Sequence, residues 1–295
     1  MGGDFATFFC RYRMNIQEAW DYGRLHLTLS SPYAELDARL LLEYVLQKPH
    51  SYIVAFAEIE LTLEQQQSYF ALVQRAVELE PIPYLTGTAV FLDLVLSVTP
   101  AVLIPRPETE ELVELAVKWG RQRPTCHIVD VGTGSGNIAI SLAQRLPHAT
   151  ITAVDISTQA LNIARKNATT YVPGRINFLL GDLLTPLVEP VDLIVANLPY
   201  IADDEWTQVD DGVKLHEPLL ALQGGADGLK LINKVLWQAQ EKLMAGGAIF
   251  LEVGWQQGIA AQKLARAFFP NASINLLVDI VGHERFVQIQ TVFER

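Results

Sequence analysis

Residues Val195 to Ile201 read VANLPYI. An Asn side chain carries one acceptor oxygen and two donor hydrogens, and Asn197 stands at the end of an apolar run. Leu198 precedes Pro199, so its backbone is biased to extended geometry and its carbonyl is kept out of a helix. The Asn197 oxygen and the Leu198 carbonyl are then two acceptors, a pair that suits a planar –NH2 group. Tyr200 adds an aromatic face on which an amide or base can stack, and the same face favours a positively charged group. Taken alone, the stretch is equally the end of a buried strand. Its chemistry depends on what the rest of the chain places around it.

A second group of candidates is DVGTGSG, Asp130 to Gly136. Its glycines let the backbone turn tightly and approach a ligand. Gly132, Gly134 and Gly136 follow G-x-G-x-G, not the G-x-G-x-x-G of a dinucleotide fold, and no Gly-Lys-Ser/Thr of a P-loop is present. A third reading is a nucleoside site without phosphate, as for S-adenosylmethionine (AdoMet). Asp155 comes about twenty residues later, where an acid accepts hydrogen bonds from ribose hydroxyls; it fits NAD or AdoMet equally, or a helix N-cap. Asp182, in LLGDLL, could accept from an adenine amino group or be a loop acid.

These residues need elements to hold them. From residue 127 short apolar runs recur: HIVDVG, TITAVD, INFLL, DLIVAN, AIFLEVG, SINLLVD and RFVQIQTV. Helical segments separate most of them, which predicts an α/β fold with a mostly parallel sheet buried on both faces. The last two runs are joined only by IVGHE, too short for a crossover helix, so they should pair antiparallel. Gly132, Asp155, Asp182 and Asn197 each fall at or just after a strand end. In open α/β sheets those carboxyl ends form the ligand crevice.

Residues 15 to about 80 read as helical. Ser31-Pro32 has the look of an N-cap with Pro at the first helical position. Leu40, Leu41, Tyr44 and Val45 fall on one helical face, and Thr62 with Gln65 has capping-box spacing. PIPYLTG, 81–87, marks a hinge or linker. AVFLDLVLSVTPAVLI reads as two strands with a turn near Thr99-Pro100. A helix opens at about Glu108, where Glu108, Glu110 and Glu111 suit the positive end of its dipole. The expected division is a helical domain over 1–80, a linker and hairpin over 81–107, and an α/β domain over 108–295.

The chain has 295 residues and a net charge of −11. That balance argues against a large nucleic-acid footprint, which needs clustered Lys and Arg. No run reaches membrane-spanning length, and the start lacks a signal peptide's order of segments. Gly2 lacks the Ser or Thr that myristoylation wants at position six, which is Ala6. Cys10 and Cys126 make neither a disulfide framework nor a metal cluster, so a reducing, cytoplasmic setting is expected. The six His show no ligand spacing and no metal is expected. Glu252 reads as a rim residue; Trp206 and Trp255 could line the site mouth or pack, with packing the preferred reading.

Taken together, PIPYLTG, the strand pair from Phe91, VLIPRPETEELVE, DVGTGSGNIAISLA, NLPYI and EPLLALQGGADGL resemble the PrmC/HemK family of peptide chain release factor N5-glutamine methyltransferases. The likeness runs essentially full length. NLPY matches the (Asn/Asp/Ser)-Pro-Pro-Tyr motif of amino-group methyltransferases except at Leu198, where the family usually has Pro. A backbone carbonyl survives that change; what is lost is a fixed φ.

The resemblance implies a Rossmann-like AdoMet-dependent methyltransferase domain, a seven-stranded sheet with its last strand antiparallel, behind a small helical substrate-recognition domain. It implies that Gly132, Thr133, Gly134, Ser135 and Gly136 cradle AdoMet. Asp155 would hold its ribose and Asp182 and Leu183 would border the adenine, with Asn197 also at the cofactor. Asn197, Leu198, Pro199 and Tyr200 would bind the substrate amide, with Asn197 and Tyr200 as the catalytic pair. The implied partner is the Gly-Gly-Gln loop of class-1 release factors. A DNA or RNA amino-methyltransferase using the same motif would need a basic surface and a flipped base, which the acidic balance disfavours.

Overall fold

The computed structural model describes residues 13–292; the readings made on Gly2 and Cys10 lie outside them. The chain forms two compact units. One runs up to Gly87 and includes Asp210–His216; the other comprises Thr88–Val209 and the chain from Glu217 onward. The hairpin that the sequence reading set apart together with the linker, within 81–107, lies in the second of these units. Among the described residues no helix is long and apolar enough to cross a membrane.

The first unit is helical: α1 (Ile16–Leu27), α2 (Ala34–Leu46), α3 (His50–Ala55), α4 (Leu63–Val77) and α5 (Ile82–Thr86). Thr62 and Gln65 make both halves of a capping box, as do Asn15 and Glu18, each satisfying donors that a helix start leaves open. Ile16, Leu27, Leu41, Leu42, Ile53 and Tyr69 form its core. Three expectations shift. Helix α2 starts at Ala34, because the Ser31 hydroxyl donates to Asp37 and accepts from the Tyr33 N–H instead of capping at position 31. Its buried face is Ala38, Leu41 and Leu42, while Tyr44 is exposed. PIPYLTG is not an open hinge but the one-turn helix α5, closed by Gly87 in the left-handed region.

The second unit opens with a hairpin, β1 (Thr88–Phe91) and β2 (Leu94–Ser97). Its turn is at Leu92–Asp93, not Thr99–Pro100. Leu92 takes φ +51° there, and its N–H is held by a Glu110 carboxylate oxygen at 2.8 Å. A turn held by a distant acid carries no Gly or Asn signal for a local reading to find.

Then follow α6 (Glu108–Gly120), β3 (His127–Val131), α7 (Asn137–Arg145), β4 (Thr150–Asp155), α8 (Thr158–Tyr171), β5 (Ile176–Leu180) and β6 (Val191–Asn197). Beyond these come β7 (Ile201–Ala202), β8 (Gln223–Gly225), α9 (Lys230–Lys242), β9 (Leu243–Glu252), α10 (Gly258–Phe268), β10 (Ser273–Val278) and β11 (Glu284–Gln290). Seven strands form one sheet in the order β10-β11-β9-β6-β3-β4-β5. All pairings are parallel except those of β11, which runs antiparallel to β9 and β10. Val129, Val131, Ile194 and Val195 are fully buried. Both faces of the sheet are covered, one by the cluster around Leu112, Leu142 and Phe250, the other by that around Ile232, Leu236 and Ile249. This is why the strands read as continuous apolar runs.

Candidate active site

Strands β3, β4, β5, β6 and β9 run the same way, so their carboxyl ends open on one edge. Strand β3 has β4 on one side and β6 on the other, the switch point at which such sheets bind ligands. A cleft of about 310 Å³ lies there. Gly132, Gly134, Asp155, Asp182, Leu183, Asn197, Leu198 and Pro199 all line it. Thr133 and Ser135 are buried and do not line it. Gly136 caps α7, and Tyr200 stands outside the lining.

The glycine loop is held from below. Gly132, Gly134 and Gly136 have φ of +74°, +54° and +84°, values that L side chains adopt at a cost. The Gly132 and Thr133 N–H groups donate to the Val154 carbonyl. Asp130 is fully buried; one carboxyl oxygen accepts from the Thr133 hydroxyl at 2.6 Å and the Ala139 N–H at 3.1 Å. Its other oxygen has no hydrogen-bond partner among the described residues. Burial pushes this carboxyl up to about 7, against the pull of those two donors.

Asp155 ties loop to strand. One oxygen accepts from the Gly134 N–H at 2.9 Å and the other from the Ser157 N–H at 2.8 Å. The N-cap of α8 is Ser157, so Asp155 is left with acceptor capacity facing the cleft it lines. Burial raises its pKa. Asp182 also lines the cleft, but its carboxylate forms an ion pair with Lys234 of α9. Leu183 has φ +55°; strain of this kind in a non-glycine gathers at ligand sites.

Asn197 is fixed through its nitrogen. Its Nδ2 donates to Thr109 Oγ1 at 2.8 Å, and that hydroxyl donates to Glu252 Oε2 at 2.8 Å. The amide oxygen of Asn197 is thereby left as the outward acceptor. Glu252 is no rim residue: it is 1% exposed. Strand β9 pairs with β6 so that Glu252 sits beside Asn197. Burial pushes its carboxyl up to about 7. Tyr200 is pushed up to about 12, chiefly by burial and next by Glu252. Its carbonyl accepts from Gln257 Nε2 at 2.7 Å, and Ile201 pairs with Gln223. Trp255 is 55% exposed against the His283 ring, not packed in the core; Trp206 is half-buried.

Sequence reading missed Thr109, Glu217, Gln257 and the cleft wall from Pro100 to Leu103, which faces Pro218, Leu220 and Ala221. Buried Glu217 joins these walls, accepting from the Ile104 N–H at 3.1 Å and from the Arg106 guanidinium. The only sequence signal was that VLIPRPETEELVE and EPLLALQGGADGL were both among the stretches that carry the family resemblance. Asn167 of α8 likewise bonds both Ser97 of the hairpin and the Ser135 carbonyl.

A glycine loop, two strand-end acids and a motif asparagine around one cleft define an AdoMet-dependent methyltransferase, and a methyltransferase-domain family model matches residues 128–214. The model of the PrmC N-terminal domain matches residues 18–87. The release factor glutamine methyltransferase of Koribacter versatilis is 36% identical over 278 residues, covering 93% of this chain and 98% of that protein. The enzyme of the same name from Escherichia coli is 41% identical over 228 residues, covering 77% and 82%. The chain belongs to the release factor glutamine methyltransferase family. Its fold also matches a methyltransferase structure from Pyrococcus furiosus with a TM-score of 0.52 at 16% identity, covering 69% of this chain and 91% of that one.

Proposed function

We propose that this enzyme methylates the side-chain amide nitrogen, N5, of the glutamine in the Gly-Gly-Gln loop of class-1 peptide chain release factors, in the cytoplasm. The observation that carries the proposal is the orientation of Asn197. Its nitrogen is committed to Thr109, so its oxygen is available to accept an N–H from an incoming amide. The Leu198 carbonyl is the second acceptor, and Tyr200 closes the substrate side.

The residues present fit the cofactor. AdoMet supplies an electrophilic methyl group on a cationic sulfonium. Gly132 to Gly136 bring backbone close to the cleft, and Asp155 offers acceptors for ribose hydroxyls. Asp182 and Leu183 border the adenine. The backbone of Gly132 and Gly134 lines the cleft with no side chain in the way, and Asp155 keeps acceptor capacity beside it.

An amide nitrogen is a poor nucleophile because its lone pair is delocalised. The protein's contribution is position. Asn197 and Leu198 take both N–H hydrogens, turn the nitrogen lone pair toward the methyl and stabilise the positive charge that develops on nitrogen. The new N–C bond would form as the methyl's bond to sulfur breaks, sulfur keeping that electron pair, and the surplus N–H proton would then pass to solvent. The helical unit is read as the part that recognises the release factor.

The test is methyl transfer from AdoMet to a purified class-1 release factor, with mass spectrometry of the Gly-Gly-Gln peptide. A substrate carrying Gln→Asn at that position is the control. Methylation elsewhere, or equal methylation of the control, overturns the proposal.

A further inference from the structure

Asn197 can present either face of its amide to the cleft, and only one face puts an acceptor there. What decides between them lies outside the NLPY motif. Thr109 is 1% exposed and sits in the first turn of α6; Glu252 is equally buried at the end of β9. The three side chains form a chain of donors in one direction, Asn197 Nδ2 to Thr109 Oγ1 to Glu252 Oε2. A hydroxyl has a single hydrogen. When that hydrogen goes to Glu252, Thr109 can only accept from Asn197, which turns the nitrogen of the amide inward and its oxygen outward.

We infer that Thr109 and Glu252 are positioning residues for methyl transfer: an ionised Glu252, acting through the Thr109 hydroxyl, holds Asn197 with its acceptor toward the substrate amide. This rests on Asn197 receiving that amide, as proposed above.

The polarity of the chain depends on the charge of Glu252. As a carboxylate it accepts only. Protonated, it can donate to Thr109 and release the hydroxyl hydrogen toward Asn197, which favours the opposite amide face. Oε1 of Glu252 has no hydrogen-bond partner among the described residues, so those residues do not lock either state. The groups acting on it are Thr109, Arg285 of β11, Glu108 of α6 and Asn197, with Tyr200 beyond β6 coupled to it. Thr109, Arg285 and Asn197 favour the charged form, while burial and Glu108 oppose it. With the balance near 7, the anion becomes the main form just above neutral pH. Methyl transfer should therefore gain rate as pH rises through this range.

The experiment measures kcat, KM for release factor, AdoMet affinity by calorimetry and thermal midpoint for wild type, N197A, T109V, T109S and E252Q. T109V keeps the shape and removes the hydroxyl. Its kcat should fall about tenfold to a hundredfold, the size expected for loss of one buried hydrogen-bond partner, with AdoMet affinity nearly unchanged. T109S should restore most of the rate, which a purely steric role for Thr109 would not require. Wild-type kcat should rise between about pH 6 and 8, and E252Q should lack that rise. Wild-type kcat in folded T109V, with N197A inactive, overturns the inference alone, as does a rise that persists in E252Q. Full activity in N197A overturns the reading of the site itself.

Discussion

Arg106 and Glu217 meet as an ion pair although 111 residues separate them in the chain. The Glu217 side chain is 1% exposed and that of Arg106 is 30%. The pair joins the loop before α6 to the loop before β8, the two walls of the cleft. Removing Arg106 leaves a buried carboxylate with the Ile104 N–H as its remaining partner among the described residues. Arg106→Ala should cost about 2 kcal/mol, the scale of a hydrogen bond to a charged group, read from urea unfolding. AdoMet affinity should weaken with it, because both walls lose their tie.

Asn197→Ala removes the acceptor aimed at the substrate amide. Turnover should drop by about two to three orders of magnitude, as for loss of one preorganised polar group. AdoMet binding should weaken much less, since the glycine loop and Asp155 are untouched. Steady-state methylation with parallel calorimetry separates the two effects.

Asp155→Ala should act the other way round. It removes the ribose acceptor and also the partner of the Gly134 N–H. AdoMet affinity should fall by about tenfold or more, given about 1.5–3 kcal/mol for a hydrogen bond to a charged group. Calorimetric titration of AdoMet checks this.

Gly228→Ala tests how the NLPY exit is held. Gly228 has φ +71°, and an added Cβ would lie 2.2 Å from the Tyr200 carbonyl oxygen and 2.1 Å from Gln257 Nε2. The Gln257 side chain can move, but the Tyr200 backbone cannot without shifting the motif. Both stability and kcat should fall. Gly282 has φ +90° with nothing within 4 Å of its would-be Cβ, so Gly282→Ala should show only the left-handed strain of about 1–2 kcal/mol and keep its kcat.

Two buried carboxyls set a pH dependence of stability. Asp130 stands at about 7 against an ordinary 3.8, and Glu252 at about 7 against 4.5. Between those values the folded protein holds protons that the unfolded chain has lost. Stability therefore falls as pH rises from about 4 to about 7, with a slope approaching about 1.4 kcal/mol per pH unit for each group. Asp130→Asn should remove its share of the slope. Urea midpoints across that range decide it, and a midpoint that climbs with pH contradicts the assignment.

Much was legible without coordinates. The apolar runs marked all seven sheet strands, and the short IVGHE link between the last two marked their antiparallel pairing, because strand burial and turn length are local properties of the chain. Gly132, Asp155, Asp182 and Asn197 could be ranked as neighbours because parallel strands bring their ends to one edge. The Leu92 turn escaped because its support, Glu110, comes from another element. Asp182 gave no hint of Lys234, nor Asn197 of Thr109.

The sequence by itself therefore determined the seven sheet strands and which residues stand at their carboxyl ends, since periodicity, glycine and proline act within a few residues. The tertiary structure alone decided which way those residues face and what charge they carry. Asn197 and Thr109 are 88 residues apart, and Thr109 and Glu252 143 apart. Glu252 changed from an expected rim acid to a buried partner of the motif only when β9 packed beside β6, because burial and hydrogen-bond direction are properties of the packed site and not of the chain.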